Sequence, residues 1–167
     1  MIPAAVFVLV FVPMLVEDAI SRRNERSLRS LGAREPENDV YAAMQFGYPA
    51  AFLSMILEGW WQQPQFGVRF GTGLAIFAAG KMLKYWAIAV LGSRWTFRVL
   101  VPPGSGRVTS GLYRALNHPN YIGVAGELVG AALMLRAVLT GPPATLCFLL
   151  LIRRRIAIEE RALRCEG

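Results

Sequence analysis

Histidine occurs once and cysteine twice in this 167-residue chain. With His118 as the single histidine, a zinc site has too few ligands, and Cys147 and Cys165 belong to no CxxC or Cys/His cluster. Cys165 has only two residues after it, so no prenylation box ends the chain. Charge is scarce as well. Only 17% of residues are charged, where a soluble domain carries about 25%. Walker A, GxSxG and HExxH patterns do not occur, and Gly104-Ser-Gly106 lacks both the spacing and the strand–helix context of a dinucleotide fingerprint. What the chain has instead is apolar sequence: 54% of residues are hydrophobic and the mean hydropathy is +0.40. Disorder, collagen and coiled coil are excluded, since apolar residues are too many and the glycines and prolines show no period.

These proportions predict an all-α polytopic integral membrane protein, a single domain over residues 1–167 with about five transmembrane helices. The apolar runs are Ile2 to Val16, Tyr41 to Trp61, Val68 to Leu91, Tyr121 to Leu139 and Ala144 to Ile152. The first has no positive start and continues into Ala19-Ile20, so a retained helix is expected rather than a cleaved signal. The last is too short to cross a bilayer core of about 30 Å alone. It is expected to form a helical hairpin with its predecessor, turning at Gly141-Pro142-Pro143. Lys81 and Lys84 are expected to snorkel from the end of the third run. Gly123, Gly126 and Gly130 mark one face of the fourth run for close helix approach.

The net charge of +7 and isoelectric point near 10.1 suggest nucleic acid until the charges are located. Arg22, Arg23, Arg26, Arg29 and Arg34 follow the first run. Arg94, Arg98, Arg107 and Arg114 lie between the third and fourth, and Arg153, Arg154, Arg155, Arg161 and Arg164 follow the fifth. By the positive-inside rule these segments are cytoplasmic and the N-terminus is outside, as in a bacterial inner-membrane protein. The expected partners are membrane lipids and a lipophilic substrate, not nucleic acid.

Three features exceed what a structural bundle requires. Asn117-His118-Pro119-Asn120-Tyr121 stands at the mouth of the fourth run. Pro119 suits the first helical position, and the helix N-terminus there favours an anion such as a carboxylate. Glu127 lies inside the apolar run, where an ionisable group faces the bundle interior or a wet cavity. Arg155 and Glu159 are four apart on one helical face, with Glu160 and Arg164 spaced likewise. The bland alternatives are a capped helix with a solvated histidine, a neutral hydrogen-bonded glutamate, and surface ion pairs.

Gly111-x-Tyr113, His118-Pro119-x-Tyr121 and Arg155-x-x-x-Glu159-Glu160-x-x-Leu163, in this order and separation, resemble the isoprenylcysteine carboxyl methyltransferase family and, more distantly, phospholipid methyltransferases. The resemblance covers Ser105 to Leu163, the expected cofactor-binding half of the chain. His118-Pro119-Asn120-Tyr121 with Glu127, and Arg23-Asn24-Glu25-Arg26 after the first run, look like a small bacterial subgroup acting on long-chain polyketides such as alkylpyrones or phenolic lipids. The resemblance implies an S-adenosyl-L-methionine-dependent O-methyltransferase. Ser105, Gly106, Arg107, Val108, Tyr113, His118, Pro119, Asn120, Tyr121 and Glu159 would contact the cofactor, and Arg155 the acceptor. The catalytic assignments are Arg155 and Glu127, with His118 and Glu127 as candidate bases, and no metal is expected. The chain departs from the family pattern in having Asn117 where an arginine is usual, and in ending at Gly167 without a Gly/Tyr-rich tail. Phospholipid N-methylation and a non-enzymatic lipid-binding scaffold are the alternatives.

Overall fold

The computed structural model describes residues 1–36, 39–103, 111–114, 116 and 118–166, with residues 112 and 163–166 described by backbone alone. Five long helices follow one another: α1 (Ile2–Ser30), α2 (Tyr41–Gln62), α3 (Val68–Leu91), α4 (Pro119–Leu135) and α5 (Gly141–Glu166). Short 3₁₀ turns occupy Gly92–Arg94 and Gly111–Arg114. Among the described residues no strand occurs, and an isolated antiparallel bridge joins Arg34 to Val101. Two stretches, Ile2–Ser30 and Val68–Arg94, are helical, long and apolar enough to cross a membrane, and Pro119–Leu135 is a shorter apolar helix. Phe7, Val8, Val12, Leu15 and Val16 of α1, and Met82 and Trp86 of α3, are exposed. A bundle with such outward faces suits lipid better than water.

α1 does not stop at its apolar run, so Arg22, Arg23, Arg26 and Arg29 lie on the helix rather than after it. Arginine is a good helix former, and nothing breaks the helix before Gly32. There the Gly32 N–H bonds to the Arg29 carbonyl and the Ala33 N–H to the Leu28 carbonyl, with Gly32 at φ +81°. This is a Schellman stop, which needs the left-handed conformation that glycine adopts without strain. The hairpin turn also differs from expectation. It lies at residues 136–140, and Pro142 and Pro143 sit in the first turn of α5. There the missing amide proton breaks no helical bond. α5 then runs unbroken through Arg153, Arg154 and Arg155.

α3 and α4 are antiparallel and share the most extensive interface of the bundle. A Cβ added at Gly80 would stand 2.6 Å from the Gly123 carbonyl oxygen, and one at Gly130 would stand 2.6 Å from that of Gly73. The two backbones therefore touch, as the spacing of Gly123, Gly126 and Gly130 predicts, and Gly73 and Gly80 supply the matching face. The core beside this seam contains Val6, Val10, Phe52, Met55, Phe77, Leu128 and Met134. At one end Glu58 of α2 holds the hairpin turn. It accepts hydrogen bonds from the Leu139 amide (2.9 Å) and from the Thr140 amide and hydroxyl (both 2.7 Å). At the other end, the segment after α3 is laced to α1. Asn24 donates to the Gly92 and Trp95 carbonyls at 3.1 and 2.8 Å, and the Phe97 amide donates to the Ser21 hydroxyl at 2.8 Å.

Candidate active site

The rim at this second end gathers most of the sequence-predicted residues. His118 is the N-cap of α4 and Pro119 its first residue, and no side chain caps the helix. The first turn faces the later turns of α5. The Tyr121 hydroxyl donates to Glu159 Oε2 at 3.0 Å, and His118 Nε2 lies 3.3 Å from Glu160 Oε1. The His118 and Tyr121 rings are tilted at a centroid distance of 5.7 Å. Asn120 Oδ1 accepts a long 3.4 Å hydrogen bond from the Trp95 indole. Tyr113, on the 3₁₀ turn preceding α4, is half-buried. Burial and, secondarily, the Glu159 charge push its phenol well above the ordinary tyrosine range, so it remains a hydrogen-bond donor.

Arg155 and Glu159 do not pair with each other. Arg155 is 4% exposed. Its Nη1 lies 2.6 Å from both carboxylate oxygens of Asp39, and its Nη2 donates to the Phe97 carbonyl. The bland alternative of a surface ion pair between Arg155 and Glu159 is thereby excluded. A guanidinium removed from water needs a counter-charge close by, and Glu159 is engaged by Tyr121. Glu160 meets His118, and the expected Glu160–Arg164 pair falls on a side chain outside the described residues. Ser105, Gly106, Arg107, Val108 and Asn117 lie outside the described residues.

Glu127 is not at this rim. It lies deeper, in a cluster that sequence reasoning missed. Lys81 Nζ stands 2.7 Å from Glu127 Oε2 and 3.0 Å from Glu17 Oε1. Lys84 Nζ stands 2.6 Å from Glu17 Oε2 and 3.4 Å from Glu127 Oε1, without hydrogen-bond geometry to either oxygen. The Tyr48 hydroxyl donates to Glu127 Oε2 at 2.8 Å. The expectation that the two lysines snorkel outward is therefore overturned: Lys84 is 2% exposed, and both ammonium groups turn inward to the two carboxylates. Lys81 and Lys84 share a face of α3 by their spacing, which is the one sequence signal of this arrangement. Asp39, Trp95 and the Phe97 carbonyl were also missed at the rim. A buried arginine calls for a carboxylate, but nothing local singles out Asp39, which is 116 positions away.

An all-helical body with apolar outward faces and a polar rim between two helix ends suits a membrane protein. The chain belongs to the isoprenylcysteine carboxyl methyltransferase (ICMT) family, whose profile matches residues 73–165, from α3 to the end of α5. It is 28% identical over 165 residues to the uncharacterized protein YpbQ of Bacillus subtilis (strain 168), covering 93% of each chain. It is 27% identical over 146 residues to an uncharacterized protein of Haemophilus influenzae, covering 87% of this chain and 85% of that one. A local match, 41% identical over 71 residues, links 41% of this chain to 25% of the steroid 5-alpha-reductase DET2 of Solanum lycopersicum. No solved structure matches significantly.

Proposed function

We propose that the protein is a membrane-embedded, S-adenosyl-L-methionine-dependent methyltransferase that transfers a methyl group to an oxygen of a lipophilic acceptor. The observation that carries this reading is the meeting of the first turn of α4 with Glu159 and Glu160 of α5, inside the family-matched segment. The donor set suits the cofactor. The uncapped start of α4 favours a methionyl carboxylate, and Glu159 suits its ammonium group or a ribose hydroxyl. We assign Tyr113, His118, Pro119, Asn120, Tyr121 and Glu159 to cofactor binding, together with Ser105, Gly106, Arg107 and Val108 from the family resemblance. When bound, the cofactor supplies an electrophilic sulfonium methyl.

Arg155 is assigned to orient the acceptor oxygen through guanidinium N–H groups not used by Asp39, Phe97 and Tyr121. An arginine has five such donors in a fixed plane. Of His118 and Glu127, the two groups expected to take a proton from a hydroxyl acceptor, His118 is assigned that role. His118 is the better placed, because Glu127 is engaged by Lys81, Lys84 and Tyr48. The rate enhancement comes mainly from positioning and from exclusion of water by the apolar surroundings. In this reading the N-terminus is outside a bacterial inner membrane, the rim faces the cytoplasm, and the acceptor arrives through the bilayer.

The test begins with S-adenosylhomocysteine titrated calorimetrically into the purified protein, for which saturable binding is expected. A radiolabelled methyl donor is then supplied with a membrane-lipid extract, and the labelled product is treated with mild base. Release of label identifies an ester. Retention identifies an ether or an amine, which mass spectrometry separates. Absence of both binding and labelling overturns the proposal in favour of a lipid-binding scaffold.

A further inference from the structure

Asp39 is absent from every motif that marks the rim, yet it is the carboxylate that pairs with Arg155. Both side chains are 5% exposed, and Asp39 comes from the linker between α1 and α2, far in sequence from α5. We propose that Asp39 is a specificity-determining residue that makes the Arg155 site reject anionic lipids. The inference rests on the reading of Arg155 as the residue that faces the acceptor.

A buried guanidinium within reach of a lipophilic acceptor would, if unpaired, be a trap for any lipid carboxylate or phosphate, because low dielectric strengthens charge attraction. Here the cation is already neutralised. Nη1 holds both Asp39 oxygens at 2.6 Å, and Nη2 is taken by the Phe97 carbonyl. An incoming carboxylate has two options. It can displace Asp39 and leave that carboxylate buried without a partner, or it can settle beside Asp39 as a second negative charge. Both are unfavourable. An uncharged hydroxyl meets neither penalty and still accepts a hydrogen bond from the remaining guanidinium N–H groups. Asp39 is itself held in place. Its Oδ2 lies at 3.5 Å from the Val99 amide, and the adjoining segment is tied to the start of the same α1–α2 linker by the Arg34–Val101 bridge. The discriminating charge is thus part of the rim scaffold.

The probes are dodecanoate and dodecanol, titrated into the full-length protein in nanodiscs of zwitterionic lipid, with binding read by tryptophan fluorescence. The wild-type protein is expected to bind dodecanoate no more tightly than dodecanol. Asp39→Asn, which keeps the shape and one acceptor oxygen, is expected to gain at least about tenfold in dodecanoate affinity with no gain for dodecanol. Adding Arg155→Met to Asp39→Asn should abolish that gain. A wild-type protein that prefers dodecanoate by tenfold overturns the proposal without any variant. So does an Asp39→Asn protein with unchanged dodecanoate affinity or with equal gains for both probes. S-adenosylhomocysteine binding, followed on the same samples, tests the methyltransferase reading separately: its absence removes that reading and leaves the charge selectivity standing or falling on the lipid titrations.

Discussion

Glu17, Lys81, Lys84 and Glu127 meet side chain to side chain from three helices, while Asp39, Arg155, Tyr121 and Glu159 bring a linker residue and the Phe97 backbone carbonyl into contact with two. The first set has two positive and two negative charges and belongs to the bundle interior, tied by Tyr48 to α2 as well. The second has one positive and two negative charges and stands at the helix ends. A closed, balanced set inside an apolar body stabilises one arrangement of the helices over others, because any slip leaves a charge unpaired in a low-dielectric medium. An unbalanced set at a rim has capacity left for a ligand. Under the proposed function, the contrast separates charges that hold the fold from charges assigned to substrate and cofactor.

The largest effect expected from breaking this contrast is on stability. Lys84→Met leaves Glu17 and Glu127 with one ammonium group between them and should cost about 3–5 kcal/mol. Thermal unfolding in detergent reads that loss, while methyl transfer per folded molecule should stay within about threefold. A hundredfold fall in transfer per folded molecule would instead tie the interior set to the chemistry. Replacing all four charges together (Glu17→Gln, Lys81→Met, Lys84→Met, Glu127→Gln) should recover most of the lost stability, since neutral groups of similar volume often replace a buried ion cluster at little cost. At the rim the expected effect is smaller and of another kind. Glu159→Gln removes a charge that would be used by the cofactor. It should weaken S-adenosylhomocysteine binding about 10- to 100-fold, the equivalent of one charge-assisted hydrogen bond, with little change in melting temperature.

How far each set was legible follows from where its partners lie. The α3–α4 contact could be read from Gly123, Gly126 and Gly130 because helical period puts them on one face. Tyr121 and Glu159 could be paired only through their motifs, which lie 38 positions apart. Glu127 was conspicuous as a charge in an apolar run, but its partners were not. Lys81 and Lys84 have the same sequence signature whether they snorkel or turn inward, and only a carboxylate on a neighbouring helix decides between the two. The end of α1 was misread for a related reason. Apolarity stops at Val16, but helicity depends on propensity and on the stop at Gly32, so the arginine-bearing turns continue the helix.

The smallest expected effect belongs to charges that lie outside both sets, where the segment after α3 meets the end of α1. Glu35 accepts from Arg98 at 2.6 Å and from Arg29 at 2.8 Å, and Arg98 also stacks over the Tyr41 ring at 4.1 Å. Partial burial alone would raise the Glu35 carboxyl, but the hydrogen bonds and charges of Arg98 and Arg29 outweigh it and hold it below its ordinary value of 4.5. A carboxyl depressed in the folded state contributes stability that is present above its unfolded pKa and is lost as pH falls through the folded one. The pairs are partly solvated, so the contribution is at most about 1 kcal/mol and weakens with salt. Glu35→Gln should therefore melt slightly below wild type at pH 7, with a gap that closes as the pH is taken well below 4.5. A gap that persists in acid, or that 1 M salt does not reduce, would mean that Glu35 supports the rim by packing rather than by charge. The rim scaffold would then share the salt-insensitivity of the interior set.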